Sequence, residues 1–417
     1  MNTTVFELND TGIYCNGQQG SALISPGYAL LTNTGVATGT EAQQRFWLEP
    51  QHSYNQFWRQ LSLSPLPTVS RYARHHADLA YAQLLQLHRD CGEPEDVIFA
   101  VPGSFSNEQL GILLGLAKAS PFNVVGLVDA AIAATSQASL AGQLLHLDIQ
   151  LHQTVITGVT VDNNLRRSHI EVIPELGLKH FHDKWAQHIA NLFIRQYRYD
   201  PLHTAAGEQQ LNNHLPAWLT ALNGLDSTTI NMDTPQGNYR LNLVRSELLE
   251  SSSPLFNRLS NAVTKLKTSD AQLLLSHRCA QLPGFSQHWS NAVPLTQQAT
   301  VEGCLNHLDV ICSTGESLNF VTSLPRQNVM QQMPDNVRRV NNHSPTHLLY
   351  RHKAYRLGDK LPDELDQLDL QFVKTDEGYT LTPHTGKIGF DGDPKNLQTG
   401  DRFTLESGET VSLIEVC

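Results

Sequence analysis

Asp96-Val97-Ile98-Phe99-Ala100-Val101-Pro102, followed after a helical stretch by Val124-Val125-Gly126-Leu127-Val128-Asp129 and Ala130-Ala131-Ile132-Ala133-Ala134, decides how this chain is read. The first run is apolar and stops at a proline, which has no N–H for a further ladder bond, so residues 96–102 are predicted as a buried strand. Ser106 is placed to cap a helix over 107–120 through its hydroxyl. Residues 124–128 form a second buried strand and 130–140 a small-residue helix. Residues 144–149 and 154–161 then read as a hairpin. Strand, helix, strand, helix and hairpin in this order give an α/β pattern, a sheet covered by helices.

Working outward, residues 3–8 read as a strand, a Gly- and Asn-rich turn follows, and strand-like pieces lie at 22–24 and 28–31. Residues 77–91 carry a helical pattern. From 179 to 270 the chain is mainly helical, broken by a β-like stretch at 228–243. A buried-type strand at 272–275 leads into Pro283-Gly284-Phe285, and a helix is predicted at 299–311. Residues 324–345 are rich in Pro, Gln and Asn without periodicity, the pattern of a linker. Beyond them, short strands at 346–355, 368–373, 379–383, 387–390, 401–405 and 410–416 alternate with Gly- and Asp-rich turns, which reads as a small all-β domain.

The chain has 417 residues, 40% hydrophobic and 17% charged, with a formal net charge of -11. That length suits two to four folding units. The acidic balance opposes general nucleic-acid binding, which needs Lys and Arg against phosphates. No secretory signal and no bilayer-length apolar run is present, and a cytoplasmic location without membrane insertion is expected. Six scattered cysteines, Cys15, Cys91, Cys279, Cys304, Cys312 and Cys417, form no C-x-x-C pair and read as reduced thiols. The 19 histidines include the pairs His75/His76 and His180/His182, but no companion ligands stand at zinc-site spacing, so no metal is expected.

Several segments in register resemble DnaK-type heat-shock chaperones of the actin-like ATPase superfamily: the 96–102 strand with Phe105 and Gln109, the 124–134 segment, Leu176-Gly177-Leu178-Lys179-His180-Phe181 against L-G-G-E-D-F, and Leu282-Pro283-Gly284-Phe285. The resemblance covers roughly residues 1–322. It implies a two-lobed actin-like α/β fold: lobe I at 1–165 completed by 298–323, lobe II at 166–297, linker 324–345 and β domain 346–417. It also implies nucleotide held between two Gly-rich hairpins, whose amides reach the phosphates where a side chain would block them. This chain departs there. Glu7-Leu8-Asn9-Asp10-Thr11 matches D-L-G-T-T, and Asp148-Ile149-Gln150-Leu151-His152-Gln153 matches D-L-G-G-G-T without its glycines. His277 and Arg278 replace the paired glycines of the adenosine motif. The positions implied for cofactor contact are Asn9, Asp10, Thr11, Gln150, Gly177 and Gly284. Asp148 falls where the family holds metal through water, and Asp129 where a Glu orients the attacking water. Alternatively, Asp148 ends a strand and Asp129 caps the helix beginning at Ala130.

The tail resembles the second half of a forkhead-associated domain through Glu377-Gly378-Tyr379-Thr380-Leu381, residues 386–390, Leu397-Gln398-Thr399-Gly400-Asp401-Arg402-Phe403-Thr404-Leu405 and residues 411–416. Leu357-Gly358-Asp359 stands where that family has a G-R pair, and no S-x-x-H precedes Leu370, so phosphopeptide reading is not implied. An unrelated small β-sandwich is the other reading of the tail, because Gly-Asp before a strand is a common turn. The expectation is a non-catalytic chaperone-like scaffold that binds partner proteins, with no cofactor. The alternative is a chaperone-like ATPase binding ATP and Mg2+ through atypical phosphate loops, and a third reading is a phosphopeptide adaptor.

Overall fold

A computed structural model of the protein describes residues 3–16, 22–68, 70–234, 236–268, 270–312 and 318–326, and in the tail 345–350, 353–357, 370–375, 378–383, 389–391, 397, 401–404 and 410–414. The chain divides into two units, Met1–Gln327 and Asn328–Cys417.

The first unit opens with strands β1 (Thr4–Glu7), β2 (Ile13–Asn16) and β3 (Ala22–Ser25), followed by a small antiparallel sheet of β4 (Ala29–Leu31), β5 (Val36–Thr38) and β6 (Ser53–Tyr54). Helix α1 (Thr40–Gln43) lies within that sheet's span, and α2 (His76–Asp90) leads to β7 (Asp96–Val101), α3 (Asn107–Lys118), β8 (Asn123–Asp129) and α4 (Ala130–Thr135). Ser106 caps α3 in a reciprocal box with Gln109, as its place in the sequence predicts. Strands β9 (Gly142–Ile149), β10 (Gln153–Val161) and β11 (Asn164–Pro174) precede helices α5 (Leu178–Tyr197) and α6 (Ala205–Gly224). A hairpin of β12 (Ser227–Thr234) and β13 (Gly237–Val244), helices α7 (Arg245–Ser251) and α8 (Ser253–Leu266), strand β14 (Gln272–Leu275), and short helices α9 (His277–Ala280) and α10 (Phe285–His288) follow. The unit ends with β15 (Val293–Pro294), α11 (Ala299–Leu305), α12 (Leu308–Ile311), β16 (Phe320–Val321) and β17 (Ser323–Pro325).

Two six-stranded sheets share one plan. Their orders are β16-β8-β7-β1-β2-β3 and β15-β14-β9-β10-β11-β17. In the first, β1 is antiparallel to β2 and parallel to β7, and in the second β9 is antiparallel to β10 and parallel to β14. The antiparallel steps β1–β2, β9–β10 and β10–β11 join strands consecutive in sequence, while each parallel step needs a crossover, which the helices supply. Strands β7 and β14 are buried over nearly their whole length, as central parallel strands covered on both faces must be. Val5, Ile98 and Val128 of the first sheet pack in one cluster with Leu144, Val159 and Leu274 of the second. Gly303 lets α11 approach α4, because a Cβ there would lie 1.9 Å from the carbonyl oxygen of Ala133.

Several expectations change. Strands β9–β11 belong to one sheet with β14, so the 165/166 boundary falls inside β11. Leu324, expected in the linker, is fully buried in β17, which pairs with β11; residues 327–344 lie outside the described residues. The predicted helix at 299–311 is two short helices. Cys15 and Cys91, read as reduced thiols, are joined in a disulfide, because β2 and the end of α2 meet at positions that are 76 apart in sequence. Cys417 lies outside the described residues. Among the described residues no helix is long and apolar enough to cross a membrane.

In the second unit, β18 (His347–Tyr350) and β19 (Lys353–Arg356) form a hairpin, where sequence suggested one strand. Strands β20 (Leu370–Thr375) and β21 (Gly378–Pro383) pair with each other. Strands β22 (Gly389–Asp391), β23 (Arg402–Thr404) and β24 (Thr410–Ile414) complete a five-stranded sheet, order β19-β18-β24-β23-β22, around Leu348, Tyr350, Val411 and Leu413. Gly358, Asp359, Glu377, Gly386 and Gln398, on which parts of the forkhead-associated resemblance rest, lie outside the described residues.

Candidate functional site

The two hairpin turns singled out in the sequence, β1–β2 and β9–β10, sit at equivalent ends of the two sheets and bind each other directly. Asn9 Nδ2 donates to Asp148 Oδ2 at 2.9 Å and to the Ile149 carbonyl at 3.1 Å. Its Oδ1 accepts from the Thr11 N–H and hydroxyl. The Leu151 N–H donates to Asp10 Oδ1 at 2.6 Å. Asn9, Asp10 and Gln150 are all buried. Asn9, Gln150, Leu151 and His152, which stand where the resemblance implies glycine, are all buried against protein.

Asp10 is a costly group in this position. Burial pushes its carboxyl up to about 6, against the Leu151 N–H that favours the charged form; the Asp148 charge pushes the same way as burial.

Arg278, on α9, reaches between both turns. Its Nη1 lies 2.8 Å from Glu7 Oε1 and 3.8 Å from Asp148 Oδ1, and its Nη2 donates to the Gly12 carbonyl at 3.4 Å. Burial works against its charge, but Glu7 and Asp148 more than reverse that effect and raise its pKa above the ordinary value. Beside it, His146 is buried with no partner on either ring nitrogen among the described residues, and burial lowers its pKa.

Gly177 sits where α5 meets the second turn. A Cβ there would come within 2.4–2.6 Å of backbone atoms of Gln153, Leu151 and Gln150. The N–H groups of Leu178 and Lys179, at the start of α5, donate to the carbonyls of Gln150 and Leu151. Gln150 also accepts from Gln153 Nε2.

Asp129 ends β8 and caps α4: its Oδ1 accepts from the N–H groups of Ala131 and Ile132 at 2.9 and 3.3 Å. Its Oδ2 lies 2.7 Å from Arg167 Nη1, on β11. Burial raises its pKa, with Arg167 opposing. Both carboxylate oxygens of Asp129 thus face protein donors, whereas Asp148 Oδ1 and Glu7 Oε2 are buried with no hydrogen-bond partner among the described residues.

Asn9, Asp10, Thr11, Gln150, Gly177 and Asp148 are thus brought together. Gly284 is not among them. It holds a left-handed conformation (φ 88°) at the start of α10, against Leu249 and Phe256, and lines a different surface depression. His180 and His182 both lie on α5. Among the described residues no group of three His, Cys, Asp or Glu side chains is arranged to hold a metal. Sequence reasoning noted Arg278 only as a lost glycine and missed Arg167 altogether. Arg167 sits on a strand that the pattern did not reveal.

No family model matches the chain. Over 184 residues it is 27% identical to Heat shock 70 kDa protein 14 of Pongo abelii, a match covering 42% of this chain and 36% of that protein. The chain thus spans little more than a third of the length of the curated relative it matches. This weak, partial likeness points toward the Hsp70 family of chaperones.

Proposed function

We propose that this protein is a non-catalytic, chaperone-like scaffold with a two-lobed actin-like fold, whose nucleotide site is closed by its own side chains and which acts by binding partner proteins. The repeated strand order of the two sheets and the partial likeness to a heat-shock protein support the fold assignment. The observation that carries the functional reading is the Asp10 carboxylate on the Leu151 N–H. An amide that would reach a phosphate oxygen already serves an internal anion, and Arg278 sets a fixed cation between Glu7 and Asp148, where the family places its metal shell.

These residues do not fit a magnesium nucleotide. A phosphate would meet the Asp10 carboxylate, and a divalent ion would meet the Arg278 guanidinium, each a like-charge encounter in a water-poor site. Asp129 is engaged as a helix cap and ion pair instead of facing a water. The forkhead-associated-like reading of the tail belongs to the same proposal, as a docking module.

Purified protein is expected to show no magnesium-dependent ATP turnover above buffer. A turnover rate that Asp148→Ala or Asp129→Ala abolishes would overturn the proposal in favour of an atypical ATPase.

A further inference from the structure

A cleft of about 910 Å³ lies at the small sheet of β4, β5 and β6, and it shares no lining residue with the two hairpin turns described above. Its volume is near the upper end of the range of small-molecule sites. One wall is the β4–β5 turn, a second is the chain from α1 to β6, and the third is the segment before α2 that carries Arg71 and Tyr72. Side chains tie these walls together. The Tyr72 hydroxyl donates to the Asn33 carbonyl at 3.1 Å, and the Thr68 hydroxyl donates to the Gln51 carbonyl at 3.1 Å. In the turn itself, Thr32 Oγ1 accepts from the Gly35 N–H and donates to the Gly35 carbonyl.

Two carboxylates and two guanidiniums line the cleft, so their charges cancel. Arg45 Nε donates to Glu49 Oε1 at 2.9 Å, and Arg45 Nη1 lies 3.8 Å from Glu41 Oε1. Glu49 Oε2 and Glu41 Oε2 accept no hydrogen bond from a described residue. Arg71 has no carboxylate partner among the described residues; it lies over the Tyr72 ring, 4.6 Å from its centre, and donates to the Tyr72 hydroxyl. Stacking of this kind holds the planar fork of donors in one orientation. An anionic ligand would meet Glu41 and Glu49, a cationic one Arg45 and Arg71, and an apolar one would strip water from all four without replacing it. Vicinal hydroxyls suit both kinds of group. Their O–H groups donate to the open carboxylate oxygens, and their oxygens accept from the guanidiniums. Exposed ion pairs are weak, so a ligand that shares them displaces little.

We propose that this cleft is a binding site for a neutral saccharide, with room for about two or three sugar rings. Glu41 and Glu49 accept from its hydroxyls, and Arg45 and Arg71 donate to its oxygens. The inference goes beyond the scaffold reading and is independent of whether the nucleotide site is closed.

Saturation-transfer NMR titrations of the full chain with maltotriose, cellotriose and triacetylchitotriose, all neutral trisaccharides, test it. At least one is expected to bind saturably, with a dissociation constant of about a millimolar or tighter. The trimers of galacturonic acid and of glucosamine, similar rings that carry charge, should bind more weakly than the best neutral trimer by about tenfold. Arg71→Met alters an exposed side chain with little risk to folding, and Glu49→Gln keeps the shape of the residue it replaces. Each should weaken binding of the best trisaccharide by about tenfold. No saturable binding of any of the three, binding that both substitutions leave unchanged, or equally tight binding of a charged trimer would overturn the proposal.

Discussion

Arg278 and Glu7, 271 positions apart, face each other at 2.8 Å with both side chains more than 90% buried. A buried arginine cannot shed its charge, so the pair holds only while both members are present. This contact joins the edge of one sheet's hairpin to the helix that follows the other sheet's β14.

Replacing Arg278 by Met should therefore destabilise the protein by about 3–5 kcal/mol, because Glu7 and Asp148 are left without a cation. Adding Glu7→Leu should recover part of that loss. Urea unfolding of the single and double variants measures both, and a loss under about 1 kcal/mol for Arg278→Met would show that the pair is not structural.

Asp10 sets a pH dependence with a definite sign. Its folded pKa is raised from 3.8 to about 6, so its contribution to stability is fully present below the unfolded value and is lost as pH rises through 6. Wild type should gain stability relative to Asp10→Asn as pH falls from 7 to 4, by on the order of 2–3 kcal/mol. Urea midpoints of both proteins across that window provide the test, and a difference that stays flat would contradict it.

Asp129 separates capping from catalysis. Asn keeps a side-chain oxygen for the Ala131 and Ile132 N–H groups, so Asp129→Ala should cost about 1–2 kcal/mol more than Asp129→Asn. Equal destabilisation by the two substitutions would show that the cap contributes nothing.

Particular residues explain what sequence could and could not reveal. Strands β7 and β14 are legible because a central strand covered on both faces needs an uninterrupted apolar run, which 97–101 and 273–275 supply. Strand β11 is hidden because Arg166-Arg167-Ser168 separates Leu165 from a short alternation at Ile170 and Val172, and β2 is hidden among the Gly and Asn around Ile13-Tyr14-Cys15. The turns themselves could be found by register, and their missing glycines counted. What fills the vacated space could not, since Asp10 meets Leu151 across 141 positions and Arg167 meets Asp129 across 38. Pairings of that kind follow from the duplicated sheets bringing equivalent hairpins together, not from any local pattern.

The central claim is that the two hairpins bind each other instead of a nucleotide, and calorimetric titration of the full chain with ATP and with ADP, each in magnesium, tests it most directly. The account predicts no saturable heat at millimolar nucleotide for either. Magnesium-dependent binding of ATP or ADP at micromolar concentration, weakened by Asp148→Ala, would contradict it.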